Sequence, residues 1–429
     1  MALRAQLRFL FVTVCIGLAS GLAAVAFQMS ADWITTHLLL AKVGGSFWGF
    51  ALTSFPIMIG GALIAGILMH RYAPEASGSG IPQVKAAYHQ NKTIFSWNVL
   101  WVKFVGGVLS IGTGSSLGRE GPTVHIGAAL ASRFAVWSGE SEAARGNAIC
   151  AGSAAGLAAA FNSPLAGVTL VLEEIAGGKN EDKFAGRALL AAALAVLVVY
   201  LLMGDRAAFP ISLQYPMHGP VLWLAPVIAI VAGILGLVFQ RMALGLRAWI
   251  RNAPIAPWAR PAAGAAIGCI AALAAFKITG STGVFGLGEQ QIISALNQEV
   301  FWRMAGYLAL AKLISTIFCY GSGGCGGIFA PILFFGGMSG LFISGCFQDL
   351  CGLTAVDMTL LTIVGMTACL AAVVRAPLTS ILIVFEMTRE VSVLPALMIA
   401  AVIGVFMNRI CFKSNFYDEA LAQDGIRLE

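Results

Sequence analysis

Long apolar stretches recur along the whole chain and limit what it can fold into. They cover residues 9–28, 47–69, 95–113, 188–203, 220–240, 262–276 and 391–408. Spanning a bilayer as a helix takes about 20 mostly apolar residues. The chain is 59% hydrophobic and only 11% charged, whereas soluble domains are about a quarter charged. We therefore predict an all-α, polytopic membrane protein, and the sequence lacks the alternating pattern of a transmembrane barrel.

The rest of the chain predicts a single transmembrane transport domain over residues 1–429. The N-terminus resembles a signal peptide, but its apolar run is too long for one, which favours a retained first span. The net charge of +6 is spread over loops and ends. It indicates contact with lipid headgroups rather than with nucleic acid. Nine cysteines without metal-binding spacing are expected to be free and buried, and we expect no metal or other cofactor.

Two internal matches indicate that the domain consists of two related halves, at about residues 1–205 and 215–429. Residues 152–173 align with 365–386 without a gap and share nine of 22 positions, among them a proline and a glutamate nine residues apart. The pattern K-x8-G-x-G-x3-G-x3-P occurs at Lys103 and again at Lys312. Paired halves around a central site are typical of transporters, in parallel or inverted arrangement. In the second match Glu120 falls opposite Phe329.

Three glycine-rich segments end in a proline and precede apolar sequence: "GSGIP" at 78–82, "GREGP" at 118–122 and "GGIFAP" at 326–331. Proline is favoured in the first turn of a helix, so each segment predicts a helix start within or near the membrane. Helix N-termini present unpaired N–H groups and a positive dipole end, and glycine allows an ion to approach closely. We expect an anion site built largely from backbone amides. A soluble phosphate-binding loop and glycines that only permit tight packing are the alternatives.

The neighbouring charges Arg119 and Glu120 lie within this apolar surrounding. Ionisable residues within membrane spans are usually functional. At a helix start, the carboxylate of Glu120 can occupy the anion site as a tethered competitor of a free anion. Protonation would release it and so link proton uptake to anion entry. The alternative is that Glu120 only caps its helix and pairs with Arg119.

These segments resemble the chloride channel/transporter (CLC) family. "AAGLAAAFNSPLAG" (154–167) and "FYDEAL" (416–421) match it as well, and all five segments appear in the family's order across residues 78–421. The resemblance implies inverted repeats with tilted and broken helices, and a homodimer with one pore per subunit. It is closest to compact prokaryotic members without C-terminal regulatory domains. The location implied is a bacterial inner membrane, where the partners are lipid, protons and chloride, with other halides or nitrate as further anions.

By position, the resemblance also implies roles for single residues. Glu120 would be the outer gating glutamate and Glu174 the inner proton-transfer glutamate. The residues expected to bind chloride are Ser79, Tyr417 and the backbone of Ile328 and Phe329. The residues expected to support the pathway are Gly78, Gly80, Lys103, Arg119, Gly121 and Gly327.

The function that follows is exchange of chloride for protons, without enzymatic chemistry. A passive, voltage- or pH-gated chloride channel of the same fold is the nearest alternative, and the presence of Glu174 favours exchange. A cation-coupled organic-solute transporter would need a larger polar cavity. An intramembrane enzyme would need a catalytic pair or motif that the sequence lacks.

Several residues depart from the family or have a structural interpretation. Lys85 stands where related exchangers often carry glutamate, "GGCGG" replaces a proline-containing stretch, and the sequence after Glu174 differs. For three sets of polar residues we expect structural roles. Glu173 and Glu386 are expected at helix ends, and His125 is expected to pack within its helix or face water. Arg375 and Lys312 are expected to pair with carboxylates. The alternatives are a proton relay for His125 and charges along the transport pathway for Arg375 and Lys312.

Overall fold

The protein was analysed as a computed structural model that describes residues 2–178, 181–205, 207–211 and 219–428. Eighteen α-helices run through these residues. In chain order they are α1 (Ala2–Ile34), α2 (Phe47–Tyr72), α3 (Ile81–His89), α4 (Trp97–Gly112), α5 (Glu120–Trp137), α6 (Glu142–Phe161), α7 (Pro164–Leu170), α8 (Glu181–Met203), α9 (Gly219–Asn252), α10 (Arg260–Thr279), α11 (Glu289–Leu296), α12 (Trp302–Gly321), α13 (Phe329–Cys346), α14 (Gln348–Cys351), α15 (Ala355–Val374), α16 (Pro377–Thr388), α17 (Leu394–Cys411) and α18 (Phe416–Gln423).

Nine helical segments of the described residues are long and apolar enough to cross a membrane. Six of the seven predicted stretches coincide with them, whereas residues 95–113 form α4, which has only 16 residues. Three further candidate spans, α12, α13 and α15, were not among the predicted stretches. Polar residues and glycines interrupt them in the sequence, and α13 and α15 are mostly buried inside the protein. Helices surrounded by other helices can carry such residues.

The two halves are related by inversion. Gly118 and Gly327 are equivalent in the internal repeat, and they form an antiparallel bridge. The N–H of Gly118 donates to the carbonyl of Gly327 at 2.8 Å, and the N–H of Gly327 donates back at 2.6 Å. Equivalent residues that exchange bonds in this way lie on either side of a two-fold axis. The axis of the repeat therefore passes between the two glycine segments.

In each half, a buried lysine holds a loop in place by donating to its backbone carbonyls. Lys103 Nζ donates to the carbonyls of Ala76 and Gly78 at 2.9 and 2.6 Å. Lys312 Nζ donates to three carbonyls of the equivalent loop in the second half, at 2.6–3.2 Å. Backbone carbonyls make the direct contacts of Lys312, and the carboxylate of Glu289 interacts with its charge from a longer distance. Part of the predicted boundary near residues 205–215, namely 206 and 212–215, lies outside the described residues.

Candidate functional site

Three helices begin at one place in the protein interior. The prolines predicted to mark helix starts, Pro82, Pro122 and Pro331, lie in the first turns of α3, α5 and α13. Two backbone bonds join the first segment to the third: Gly78 N–H to Gly324 O at 3.1 Å and Gly326 N–H to Gly78 O at 3.2 Å. Because the Gly118–Gly327 bridge joins the second segment to the third, the N-termini of all three helices converge.

Glycine is required where these segments touch. Gly78 and Gly80 have φ angles of +71° and +98°, which residues with a side chain rarely adopt. A Cβ at Gly121 would lie 2.5 Å from Ser79 Oγ and 3.0 Å from the Cα of Gly327. Gly121 therefore allows the starts of α3, α5 and α13 to come together. Gly327 is equally crowded, because a Cβ there would meet the carboxylate of Glu120.

The carboxylate of Glu120 lies at the N-terminus of α13, on the opposite half of the repeat. Its Oε1 accepts the backbone N–H of Phe329 at 2.5 Å, while its Oε2 is buried and has no hydrogen-bond partner within the described ranges. Phe329 is the residue that the repeat aligns with Glu120. The side chain of Glu120 thus occupies the position that a bound anion would take at this helix start.

Two hydroxyl groups complete the surroundings of this position. Ser79 Oγ and Tyr417 Oη are buried, and neither forms a hydrogen bond of good geometry with any described residue, although the two hydroxyls lie within reach of each other. The ring of Tyr417 lies 6.4 Å from that of Phe329, centroid to centroid. Ile328, the residue before α13, is fully buried. Buried polar groups are almost always hydrogen-bonded in proteins. Donors left open beside a helix N-terminus are suited to binding a small anion.

Arg119 does not pair with Glu120. Its guanidinium contacts Glu289 at 3.0 Å and donates to the carbonyl of Ala160, also at 3.0 Å. Burial raises the pKa of Glu289, and the charge of Arg119 opposes this shift. Glu289 and Asp32 line an open cavity of about 490 Å³. Glu289 was not predicted from the sequence, because it lies 170 positions from its partner Arg119 and no local motif surrounds it.

Glu174 lies in a π-helical turn that extends α7 through residues Val171–Ile175. Such turns occur frequently at functional sites. Lys85 Nζ donates to its Oε1 at 2.9 Å, and Asn415 Nδ2 donates to its Oε2 at 2.8 Å. Lys85 also contacts Asp418 at 2.5 Å. Burial alone would lower the pKa of Lys85, but the pKa is raised because Glu174 and Asp418 flank it.

The other polar residues predicted from the sequence have structural contacts. His125 is fully buried, packs edge-to-face on Phe95, and has no hydrogen-bond partner on either ring nitrogen. Arg375 donates to Asn408 and to the carbonyls of residues 408, 412 and 413, and the carboxylates of Asp418 and Glu174 interact with its charge from a longer distance. Cys325 of "GGCGG" is buried, with its thiol 3.4 Å from the carbonyl of Ala76.

Comparison with known proteins identifies relatives over nearly the whole chain. The family described as "Voltage gated chloride channel" matches residues 61–409. The chain is 32% identical to the H(+)/Cl(-) exchange transporter ClcA of Cronobacter sakazakii, over 98% of this chain and 90% of that protein. Among solved structures, a slow cyanobacterial Cl−/H+ antiporter matches with a TM-score of 0.85 and 26% identity, over 97% of each chain. A CLC-type fluoride/proton antiporter matches with a TM-score of 0.78 and 22% identity, over 98% of each chain, which supports the fold alone.

Proposed function

Because the chain belongs to the voltage-gated chloride channel (CLC) family, we propose that it exchanges chloride for protons across the membrane. Relatives at 32% and 26% identity are named as chloride/proton exchangers. The chain is an integral, multi-pass protein of the bacterial inner membrane. A homodimer with a separate pore in each subunit is part of this proposal, as are the roles of single residues given below.

One observation carries the proposal: the carboxylate of Glu120 is bound by the first amide of α13, beside two open hydroxyls. A carboxylate and a chloride ion carry the same charge and accept the same N–H groups. Only one of them can occupy this helix start at a time. When Glu120 is protonated it loses its charge, and chloride can replace it. When Glu120 releases its proton, it competes for the site again.

Chloride would be held by backbone and hydroxyl groups. The amides of Ile328 and Phe329 and the hydroxyls of Ser79 and Tyr417 are the donors we assign to it. No cation is required in direct contact, because the dipoles of the converging helices favour negative charge. Weak, distributed binding of this kind suits a transporter, from which the ion must also be able to leave.

Protons would follow a second route on one side of the membrane. Glu174 is buried in another part of the protein, next to Lys85, Asn415 and Asp418. A carboxylate is an effective proton carrier in a site from which water is largely excluded. We assign the transfer of protons between this side and Glu120 to Glu174.

The function is tested in liposomes that contain the purified protein. An imposed chloride gradient should drive protons uphill, measured as a change of external pH. Glu120→Gln and Glu174→Gln should each abolish the proton movement, whereas Glu142→Gln, at an exposed carboxylate, should leave it unchanged. Chloride flux without any proton movement in the unmodified protein would contradict exchange and would identify a passive channel.

A further inference from the structure

The route of protons to Glu174 passes a feature that the proposed function does not explain. An open cavity of about 460 Å³ lies beside this residue, and Lys85, His89, Ser414 and Asp418 are among its lining residues. Glu174 itself is only 2% exposed and does not line the cavity. The side chain of Lys85 separates the carboxylate from the cavity.

Both carboxylate oxygens of Glu174 accept hydrogen bonds from groups that can only donate. These are the ammonium of Lys85 and the amide nitrogen of Asn415. A protonated carboxyl needs an acceptor for its O–H, and an ammonium group offers none. Protonation of Glu174 is therefore disfavoured while both donors keep these positions.

The ammonium of Lys85 can turn to Asp418 alone, whereas Asn415 is held at the start of α18. The side-chain oxygen of Asn415 caps that helix by accepting the N–H of Asp418 at 2.8 Å. Lys85 Nζ, in contrast, already contacts Asp418 Oδ1, and the Asp418 side chain is 37% exposed. An ammonium group with two carboxylate partners can leave one of them without losing all of its compensation.

We propose that Lys85 gates proton uptake: its ammonium holds Glu174 ionised while it bridges the two carboxylates, and frees Glu174 Oε1 when it turns to Asp418. The proton then enters from the cavity. This inference rests on the proposed function, because it concerns how Glu174 takes up a proton during exchange. It makes Lys85 a positioning residue, because it acts through Glu174.

Other charged and titratable groups face Glu174 from neighbouring elements. Asp418 and Tyr417 belong to α18, and Arg375 follows α15. His89, on α3 with Lys85, contacts the carbonyl of Ile175 at 3.0 Å. Glu173 is turned away, because its carboxylate accepts N–H groups at the start of α16. Among the described residues, Lys85 is the one that forms an ion pair with Glu174.

The two partners of Lys85 predict opposite effects of two substitutions. In Lys85→Gln, the charge that favours ionised Glu174 is lost, so proton-coupled transport should reach half its maximum at a pH higher by about 1 to 3 units. In Asp418→Asn, the ammonium has Glu174 as its remaining carboxylate partner. The same midpoint should then move to lower pH. A bond that only stabilises the fold would not shift the two profiles in opposite directions.

The experiment measures proton-coupled chloride transport in liposomes over a series of symmetric pH values. Lys85→Arg keeps the charge and should keep the midpoint near that of the unmodified protein. Lys92→Gln removes an exposed lysine three residues after α3, and should also leave it unchanged. Infrared difference spectra supply a second measurement, through the C=O band of protonated carboxyl groups that is absent in Glu174→Gln.

The outcomes separate this inference from the proposed function. If the unmodified protein moves protons uphill but Lys85→Gln has the same midpoint and infrared titration as Lys92→Gln, the gating role is wrong and the exchange function stands. If Lys85→Gln does not yield folded protein, Asp418→Asn tests the gating role instead: its transport midpoint should move to lower pH. No shift, or an alkaline shift, in that variant would overturn the proposal.

Discussion

Glu173 and Glu386 cap each other's helices. Glu173, in the turn that extends α7, caps the N-terminus of α16, and Glu386, near the end of α16, caps the N-terminus of α7. The carboxylate of Glu173 accepts the N–H groups of Leu378 and Thr379, at 3.0 and 2.7 Å. The carboxylate of Glu386 accepts those of Leu165 and Ala166, at 3.1 and 2.8 Å. The two glutamates are equivalent in the internal repeat, so α7 and α16 lie antiparallel and exchange caps. Both residues were predicted to be structural, and the structure shows that each one caps the other's helix.

These caps should contribute measurably to stability. Glu386→Ala removes a charged acceptor from two N–H groups at a helix start. We expect a loss of about 1 to 3 kcal/mol in the free energy of unfolding, and Glu173→Ala should cost a similar amount. Thermal unfolding in detergent measures both, with Glu142→Ala as an exposed control. Equal melting temperatures for Glu386→Ala and the control would show that the cap is energetically neutral.

Some features of the fold and of the site could be predicted from the sequence, and others could not. The repeat, the helix starts at the three prolines and the opposition of Glu120 and Phe329 follow from short patterns with fixed spacing. Contacts between distant positions do not, because nothing local encodes them. Lys85 and Glu174 are 89 positions apart, and Arg119 and Glu289 are 170 apart. The sequence shows Lys85 as a departure from the family, but only the structure shows that its partners are Glu174 and Asp418.

Buried lysines illustrate the same limit. From the sequence, Lys312 was expected to need a carboxylate, because a buried charge must be compensated. Its direct contacts are three backbone carbonyls that a turn at residues 283–286 brings together, and Glu289 acts on its charge from a longer distance. The conformation of a loop determines this kind of partner, and residue types alone do not reveal it.

Gly121 is the position where a single methyl group should disturb the site most directly. Gly121→Ala would place its Cβ 2.5 Å from Ser79 Oγ and 2.6 Å from the carbonyl oxygen of Ser79. Since the backbone must shift, we expect the chloride transport rate to fall about tenfold or more, because misplacement by about 1 Å can cost about a hundredfold in rate. Gly186→Ala, at a glycine with open space around it, is the matched control. Transport by Gly121→Ala at the rate of this control would contradict the tight convergence of α3 and α5.

Glu289 should make stability depend on pH. Because burial raises its pKa above the ordinary value of 4.5, the folded protein keeps the proton when the unfolded chain releases it. The stability of the unmodified protein should therefore decline, relative to Glu289→Gln, as the pH rises from 4.5 through the raised pKa. Below 4.5 the carboxyl is neutral in both states and the difference should be constant. Melting temperatures of the two proteins over this range measure the effect, and a difference that does not vary with pH would refute it.

Removal of the tethered carboxylate should strengthen chloride binding. In Glu120→Ala the amide of Phe329 loses its acceptor, and a free anion no longer competes with a group held at high local concentration. A hydrogen bond to a charged group is worth about 1.5 to 3 kcal/mol, so the chloride affinity should rise by about 10- to 100-fold. Calorimetric titration with chloride measures this change, and Glu142→Ala should bind as the unmodified protein does. The gain should shrink as the pH falls, because protonation removes the competitor from the unmodified protein as well. A chloride affinity that is unchanged in Glu120→Ala at every pH would mean that the carboxylate and chloride occupy different sites.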